Sequence, residues 1–186
     1  MTRIIAGSAG GRRLATPAGG STRPTSDRVR EAVFSALESS LGSWAGVRFL
    51  DLFAGSGAVG LEAVSRGATH ATLVEHHRRA AGIARRNVES LGLTGVEVAA
   101  VRAEAFLLRP AHDCFHVVFA DPPYDLEGTA VTELLAQLVA NGWLCDEGVV
   151  VVERSARDAD LRWPEGIRGD RARRYGETVV WYGRGN

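Results

Sequence analysis

One ten-residue segment, Asp51-Leu52-Phe53-Ala54-Gly55-Ser56-Gly57-Ala58-Val59-Gly60, does most to limit what this chain can become. It sets a GxGxxG spacing between a short apolar run at 47–53 and a helical pattern at 58–66. That strand–turn–helix context is what a nucleotide-binding turn requires. Glycines let a ligand approach the backbone, and the N-terminus of the following helix offers unpaired N–H groups. A structural turn with no ligand shows the same signature, so the loop gains meaning only from its surroundings.

Those surroundings alternate. Strands are predicted at 47–53, 70–75, 96–101, 115–120 and 148–153, and helices at 27–41, 58–66, 77–91 and 127–141. Thr25, Ser26 and Asp27 supply cap and first-turn chemistry for the first helix. In the last, Val131, Leu134, Leu135, Leu138 and Val139 repeat at the spacing of one helical face. Val149–Val152 is apolar without a break, as a strand covered on both faces requires. Arg168–Arg174 and Thr178–Tyr182 flank a Tyr175-Gly176 turn and read as a closing hairpin. The pattern implies one α/β domain with a doubly wound, mostly parallel sheet and right-handed crossovers. Ahead of it, Arg3-Ile4-Ile5 and Arg12-Arg13-Leu14 flank a glycine-rich turn, a two-stranded ribbon expected to be mobile until it meets a partner.

Glu75 ends the second strand 20 residues after Gly55, where an acid accepts hydrogen bonds from ribose hydroxyls. Asp51 lies close before the glycines; it would repel a pyrophosphate and attract the ammonium and sulfonium end of S-adenosylmethionine. Capping of local N–H groups is the plainer role for the same carboxylate. Phe53, Ala54, Gly55, Ser56 and Gly57 form the loop that would hold this cofactor. Ala103 and Glu104, after the third strand, are placed to read the adenine edge. Phe106 serves there or in the core. His76 joins Glu75 as a candidate contact, although a histidine at a helix start more often faces solvent.

Asp121-Pro122-Pro123-Tyr124 follows the fourth strand at its carboxyl end, where open α/β sheets hold ligands. Two prolines stiffen the turn and remove two donors, leaving the Pro122 carbonyl beside the Asp121 carboxylate as acceptors for both hydrogens of an exocyclic amine. Holding those hydrogens aims the nitrogen lone pair and stabilises positive charge in the transition state. Tyr124 offers a face for an unstacked base.

Cys114 and Cys145 lie far apart without metal-ligand spacing, so a disulfide framework or zinc site is not expected, both thiols are expected to be small buried groups, and a reduced cytoplasmic setting follows. No apolar stretch approaches the roughly 18 residues of a membrane span. The formal net charge is zero, with 22 basic and 22 acidic residues, every basic one an Arg. Divided, residues 1–30 hold 6 Arg against 1 acid, residues 31–153 hold 8 against 16, and residues 154–186 hold 8 against 5. A basic front and a mildly basic tail flank an acidic middle.

These motifs resemble those of amino-methyltransferases that use S-adenosylmethionine. The opening residues, Arg3–Gly7, Gly11–Leu14 and above all the block Arg23-Pro24-Thr25-Ser26-Asp27-Arg28-Val29-Arg30-Glu31, resemble the RsmD family. The Ala6–Ala9 turn is less basic and less aromatic than that family's ribbon. The resemblance implies a Rossmann-like class I fold with a seven-stranded mostly parallel sheet, helices on both faces and an N-terminal β-hairpin. It implies methyl transfer from S-adenosylmethionine, yielding S-adenosylhomocysteine, to the N2 amine of one guanine of 16S ribosomal RNA in the small subunit or an assembly intermediate. Asp121, Pro122, Pro123 and Tyr124 would form the catalytic motif. Residues 1–22 would be a basic arm on a methyltransferase domain, 23–186, with Arg3, Arg12, Arg13, Arg23, Thr25 and Arg28 meeting the RNA. A monomer without metal or membrane attachment is expected. A DNA adenine-N6 methyltransferase and a non-catalytic RNA-binding assembly factor are the competing readings.

Overall fold

The computed structural model describes residues 2–17 and 26–186. Helix α1 (Asp27–Leu41) starts at Ser26, whose hydroxyl accepts from the Val29 N–H at 3.2 Å, and stops at Gly42. There follow β1 (Arg48–Asp51), α2 (Ala58–Ser65), β2 (His70–Val74), α3 (Arg78–Leu91), β3 (Val96–Ala99), α4 (Ala103–Leu107), β4 (Phe115–Ala120), α5 (Gly128–Ala140), β5 (Leu144–Ser155), β6 (Ile167–Tyr175) and β7 (Thr178–Gly185). The seven strands take the order β3-β2-β1-β4-β5-β7-β6. Strands β1 to β5 are mutually parallel, and β7 is antiparallel to both of its neighbours.

Alternate residues of each strand serve opposite faces. Phe49, Val117, Phe119, Val149, Val151, Val180 and Tyr182 pack with residues of α1, α2 and α3. Leu50, Val118, Ala120, Val150 and Val152 pack with α4 and α5. Covering on both sides is why β4 and β5 tolerate unbroken apolar runs. Because β2 and β4 lie on opposite sides of β1, the chain reverses its winding there, and a crevice opens at the carboxyl ends of β1 and β4.

Four features differ from expectation, three in the sheet domain and one in the arm. Helix α4, only five residues long, lacks the length for a periodic signal. Strand β5 begins at Leu144, ahead of the expected 148, because Leu144 pairs with Phe115 before the register slips to Val117–Val149. Cys114 and Cys145, expected as separate thiols, form a disulfide. The β4–β5 pairing brings their Cα atoms to 5.0 Å, although 31 residues separate them in sequence. The reduced setting inferred from unpaired thiols loses that footing.

The N-terminal ribbon is docked, contrary to the mobility expected of it. A single bridge joins Arg3 and Arg13, but Ile4, Ala9 and Leu14 are buried in the cluster under α1 to α3. Glu62 of α2 accepts from the N–H groups of Ile5 (2.7 Å) and Ala6 (3.0 Å). Ser65 accepts from Ser8 through its carbonyl and from Ala9 through its hydroxyl. Gly7 has φ +82°, and a Cβ there would lie 1.8 Å from the Ser65 carbonyl oxygen. Close approach to α2 therefore selects the small residues of the Ala6–Ala9 turn.

Candidate active site

Strand order alone brings the predicted motifs into one row. Along the carboxyl ends of β3, β2, β1, β4 and β5 stand Ala103 and Glu104, Glu75, the Asp51–Gly57 loop, Asp121–Tyr124, and Glu153.

The glycine loop leaves the sheet after Asp51. The Ala54 N–H donates to the Val74 carbonyl and Gly57 donates to Ala54, closing a tight turn into α2. Gly57 is left-handed at φ +86°, and Gly60 lies so near Leu73 that a Cβ would meet its Cδ2 at 2.1 Å. Gly55 is left-handed too, yet has open space where its Cβ would be. Two glycines thus serve the turn and the packing of helix on strand, and the third leaves room for a ligand.

Two carboxylates frame this loop. Glu75 accepts from the Gly55 N–H (2.9 Å) through one oxygen and from the His77 N–H (2.7 Å) through the other. Asp51 is 1% exposed; its Oδ2 accepts from the Gly60 N–H at 3.3 Å, while Oδ1 is buried without a partner among the described residues. Burial, and secondarily the nearby Glu75, push the Asp51 carboxyl up to about 7 against the pull of the Gly60 and Phe53 backbone N–H groups, of which Gly60 alone reaches hydrogen-bond geometry. The capping role is therefore real but uses half of the carboxylate. An orphaned, buried acceptor beside a loop with vacant space fits the cationic end of S-adenosylmethionine, and Glu75 fits its ribose.

At β4, Asp121 is half-buried, Pro122 buried and Tyr124 66% exposed. Both prolines follow trans peptide bonds. The Leu126 N–H folds back onto the Pro123 carbonyl at 3.0 Å, whereas among the described residues no hydrogen bond takes up the Pro122 carbonyl. Asp121, Pro122 and Tyr124 line a shallow crevice with Glu153, Arg154, Ser155, Asp158 and Thr178.

Ala103 is buried and Glu104 exposed at the start of α4. Phe106 packs on Trp143 with ring centroids 4.5 Å apart, which favours its core role. His76 is exposed, its ring over His77 and its Nδ1 3.5 Å from Glu75. Of the basic candidates, Arg3, Arg13 and Arg28 are exposed, and Arg3 and Arg28 share a groove with Ile5, Gly11 and Glu31. Arg12 donates to the carbonyls of Leu91 (2.9 Å) and Ser90, so it already serves the end of α3. Arg23 and Thr25 lie outside the described residues.

Sequence reasoning missed two connections. Arg30 and Glu62, 1% and 0% exposed, approach to 3.9 Å, and Arg66 reaches Glu62 and Glu38 at 2.8 Å each. A lone Glu inside the otherwise apolar start of α2 was the available signal. Asn87 of α3 exchanges hydrogen bonds with Ala15 and donates to the Ser56 carbonyl at 2.9 Å. It ties the arm to the glycine loop.

Fold and site together define a Rossmann-like class I methyltransferase of the kind that uses S-adenosylmethionine. The family model "Conserved hypothetical protein 95" matches residues 2–184. The chain is 39% identical over 151 residues to "Ribosomal RNA small subunit methyltransferase D" of Escherichia coli K12, covering 81% of this chain and 73% of that protein. It is 37% identical over 185 residues, 96% of each chain, to "Putative rRNA methyltransferase YlbH" of Bacillus subtilis. A solved structure described as "Putative methyltransferase yhhF from Escherichia coli" superposes with TM-score 0.88 at 32% identity, covering 100% of this chain and 98% of that one. The chain belongs to this family, the RsmD family that its opening residues resemble.

Proposed function

We propose that this protein methylates the exocyclic N2 amine of one guanine of 16S ribosomal RNA, in the small subunit or an assembly intermediate. The observation that carries this reading is Asp121-Pro122-Pro123-Tyr124 at the end of β4, adjacent to the β1 glycine loop and its two carboxylates. Bound S-adenosylmethionine supplies an electrophilic methyl group on a sulfonium. Asp51 neutralises its cationic end, Glu75 accepts from its ribose, and Ala103 and Glu104 border its adenine.

The chain's part in the transfer is positioning and charge. A guanine amine inside a helix or stack cannot reach the crevice, so the base must be turned out. Tyr124, 66% exposed, gives it a face to rest on. The Asp121 carboxylate and the Pro122 carbonyl accept the two amine hydrogens. The nitrogen lone pair is then aimed at the methyl group, and the positive charge that grows on nitrogen meets two acceptors. Glu153 lines the same crevice, where its carboxylate would accept the N1–H that guanine presents beside its amine. Adenine presents an acceptor beside its amine, which that carboxylate repels. In this reading residues 1–22 are a docking arm and 23–186 carry the chemistry, with Arg3, Arg13, Arg23, Thr25 and Arg28 toward the RNA. The names of the relatives support the ribosomal substrate.

The test is transfer of labelled methyl to small ribosomal subunits lacking the mark. Asp121→Ala is expected to lower kcat by about 10²–10³-fold while calorimetry finds S-adenosylmethionine bound with affinity within a few-fold of the parent. Nucleoside mass spectrometry should return N2-methylguanosine. Full activity in the variant, or N6-methyladenosine as product, overturns the proposal.

A further inference from the structure

Strand β6 closes the sheet with one edge unpaired, and its composition is unusual for a strand. From Ile167 to Tyr175 it carries four arginines, all exposed. Strict alternation would put Arg168 on the opposite face from Arg171 and Arg173. The register shows otherwise. A slip between Gly169 and Arg171 leaves Asp170 over, so that Arg168 pairs with Arg184, Arg171 with Tyr182 and Arg173 with Val180. These β7 partners are two residues apart and share one face. The bulge thus gathers Arg168, Arg171, Arg173 and Arg184 on the face that α1 covers nearer the middle of the sheet.

The charges there are not balanced by the fold. Arg168 stands directly across from Arg184, a like-charged pair that a sheet disfavours. Arg184 spends its guanidinium on neutral oxygens, the Ser40 hydroxyl and the Glu147 carbonyl. Among the described residues, Arg171 pairs with Asp170 at 3.8 Å, and no carboxylate comes within ion-pair distance of Arg168, Arg173 or Arg184. Arg171 also lies over the Tyr182 ring at 4.8 Å, which holds its planar fork in place.

This row leads to the crevice. Across the sheet on the same face, Arg173 is in register with Val180, and Val180 with Glu153, which lines the crevice beside Asp121; the β6–β7 turn brings Thr178 to the same rim. We propose that the arginine face of β6 and β7 is a second RNA-backbone surface, gripping phosphates next to the turned-out base on the side of the crevice opposite the N-terminal arm. This rests on the RNA substrate proposed above. A polyanion fits this surface, because it is a line of guanidinium groups, two of them held in place by Tyr182 and by Ser40 and Glu147, and each phosphate neutralised releases counterions.

The experiment titrates small ribosomal subunits lacking the mark against the parent and against the triple variant Arg168→Gln, Arg171→Gln, Arg173→Gln over a series of salt concentrations. The expected result is a 10- to 100-fold weaker affinity near 0.1 M salt and a slope of log K on log salt smaller by about 2 to 3, roughly one per lost contact. The matching triple Lys variant should restore most of both. Calorimetric binding of S-adenosylmethionine, unchanged in each variant, shows that the fold is intact. Affinity and slope equal to the parent's overturn the inference. So does unchanged RNA affinity with new self-association, which would assign the arginines to guarding an open edge strand. If the parent itself neither binds nor methylates these subunits, the proposed function fails first, and the two failures are told apart.

Discussion

Replacing Asp51 with Asn separates what the carboxylate does to the empty fold from what it does for the cofactor. Burial, reinforced by Glu75, raises its folded value from 3.8 to about 7. The unfolded chain loses this proton near pH 4, and the native state keeps it until about pH 7. Between those values the native state binds more protons, so stability falls as pH rises and is level above. A shift of about three units at roughly 1.4 kcal/mol each places this penalty at about 4 kcal/mol. In D51N the oxygen can still accept from Gly60, but the amide hydrogens stand where Oδ1 has no partner, a loss of about 1–3 kcal/mol. Urea denaturation followed by circular dichroism should therefore find D51N more stable than the parent by about 1–3 kcal/mol at pH 8. At pH 5 the advantage should vanish.

Cofactor affinity should move the other way. A sulfonium and an ammonium favour the ionised carboxylate, so binding to the parent strengthens as pH rises toward 7 and releases a proton below it. D51N should bind S-adenosylmethionine about 10- to 100-fold more weakly at pH 8, the worth of one hydrogen bond to a charged group, and lose the pH dependence. Isothermal titration in buffers of different ionisation enthalpy reads both. Equal affinity in the two proteins, or a stability difference between D51N and the parent that does not grow between pH 5 and pH 8, would refute this account of Asp51.

Two further outcomes follow from packing. Glu62 holds two arm N–H groups and neighbours two arginines while fully buried, so Glu62→Ala should destabilise by about 3–5 kcal/mol and abolish hydrogen-exchange protection at Ile5 and Ala6; retained protection at both would refute the docking. Reducing the Cys114–Cys145 bond, which spans 31 residues including β4 and the Asp121–Tyr124 turn, should lower stability by about 4 kcal/mol in the chain-entropy model. A urea midpoint unmoved by reductant would contradict it.

What could be read from the sequence was what is local in it. The glycine loop, Glu75 and Asp121–Tyr124 are each contiguous or one crossover apart, and the strand order needed to align them follows from alternation of β and α. Helix bounds at α1 and α3 came within a residue of the structure because caps and periodicity coincide there. Contacts made by register could not be read. Arg30 meets Glu62 across 32 residues, Cys114 meets Cys145 across a parallel pair, and Arg168 changes face because of one extra residue in β6. The ribbon's burial depends on Glu62 and Ser65, more than 50 residues away, and nothing within residues 1–17 announces them.

Under the proposed function the charge pattern has its reason in the two ligands. A site for a sulfonium and an amine must be acidic, and Asp51, Glu75, Asp121 and Glu153 stand at neighbouring strand ends. A surface for RNA must be basic, and Arg3, Arg13 and Arg28 lie by the arm with Arg168, Arg171 and Arg173 on β6. Both demands meet on one small domain, where a Debye length of about 8–10 Å leaves them within reach of each other. Drawing phosphates into the crevice would set them against four carboxylates. Turning out the base resolves the conflict, because the group that crosses from basic rim to acidic pocket is neutral while its phosphates stay outside with the arginines. In that reading base eversion is required by electrostatics as well as by reach. An abasic nucleotide at the target position should keep most of the RNA affinity, and phosphate neutralisation around it should remove most.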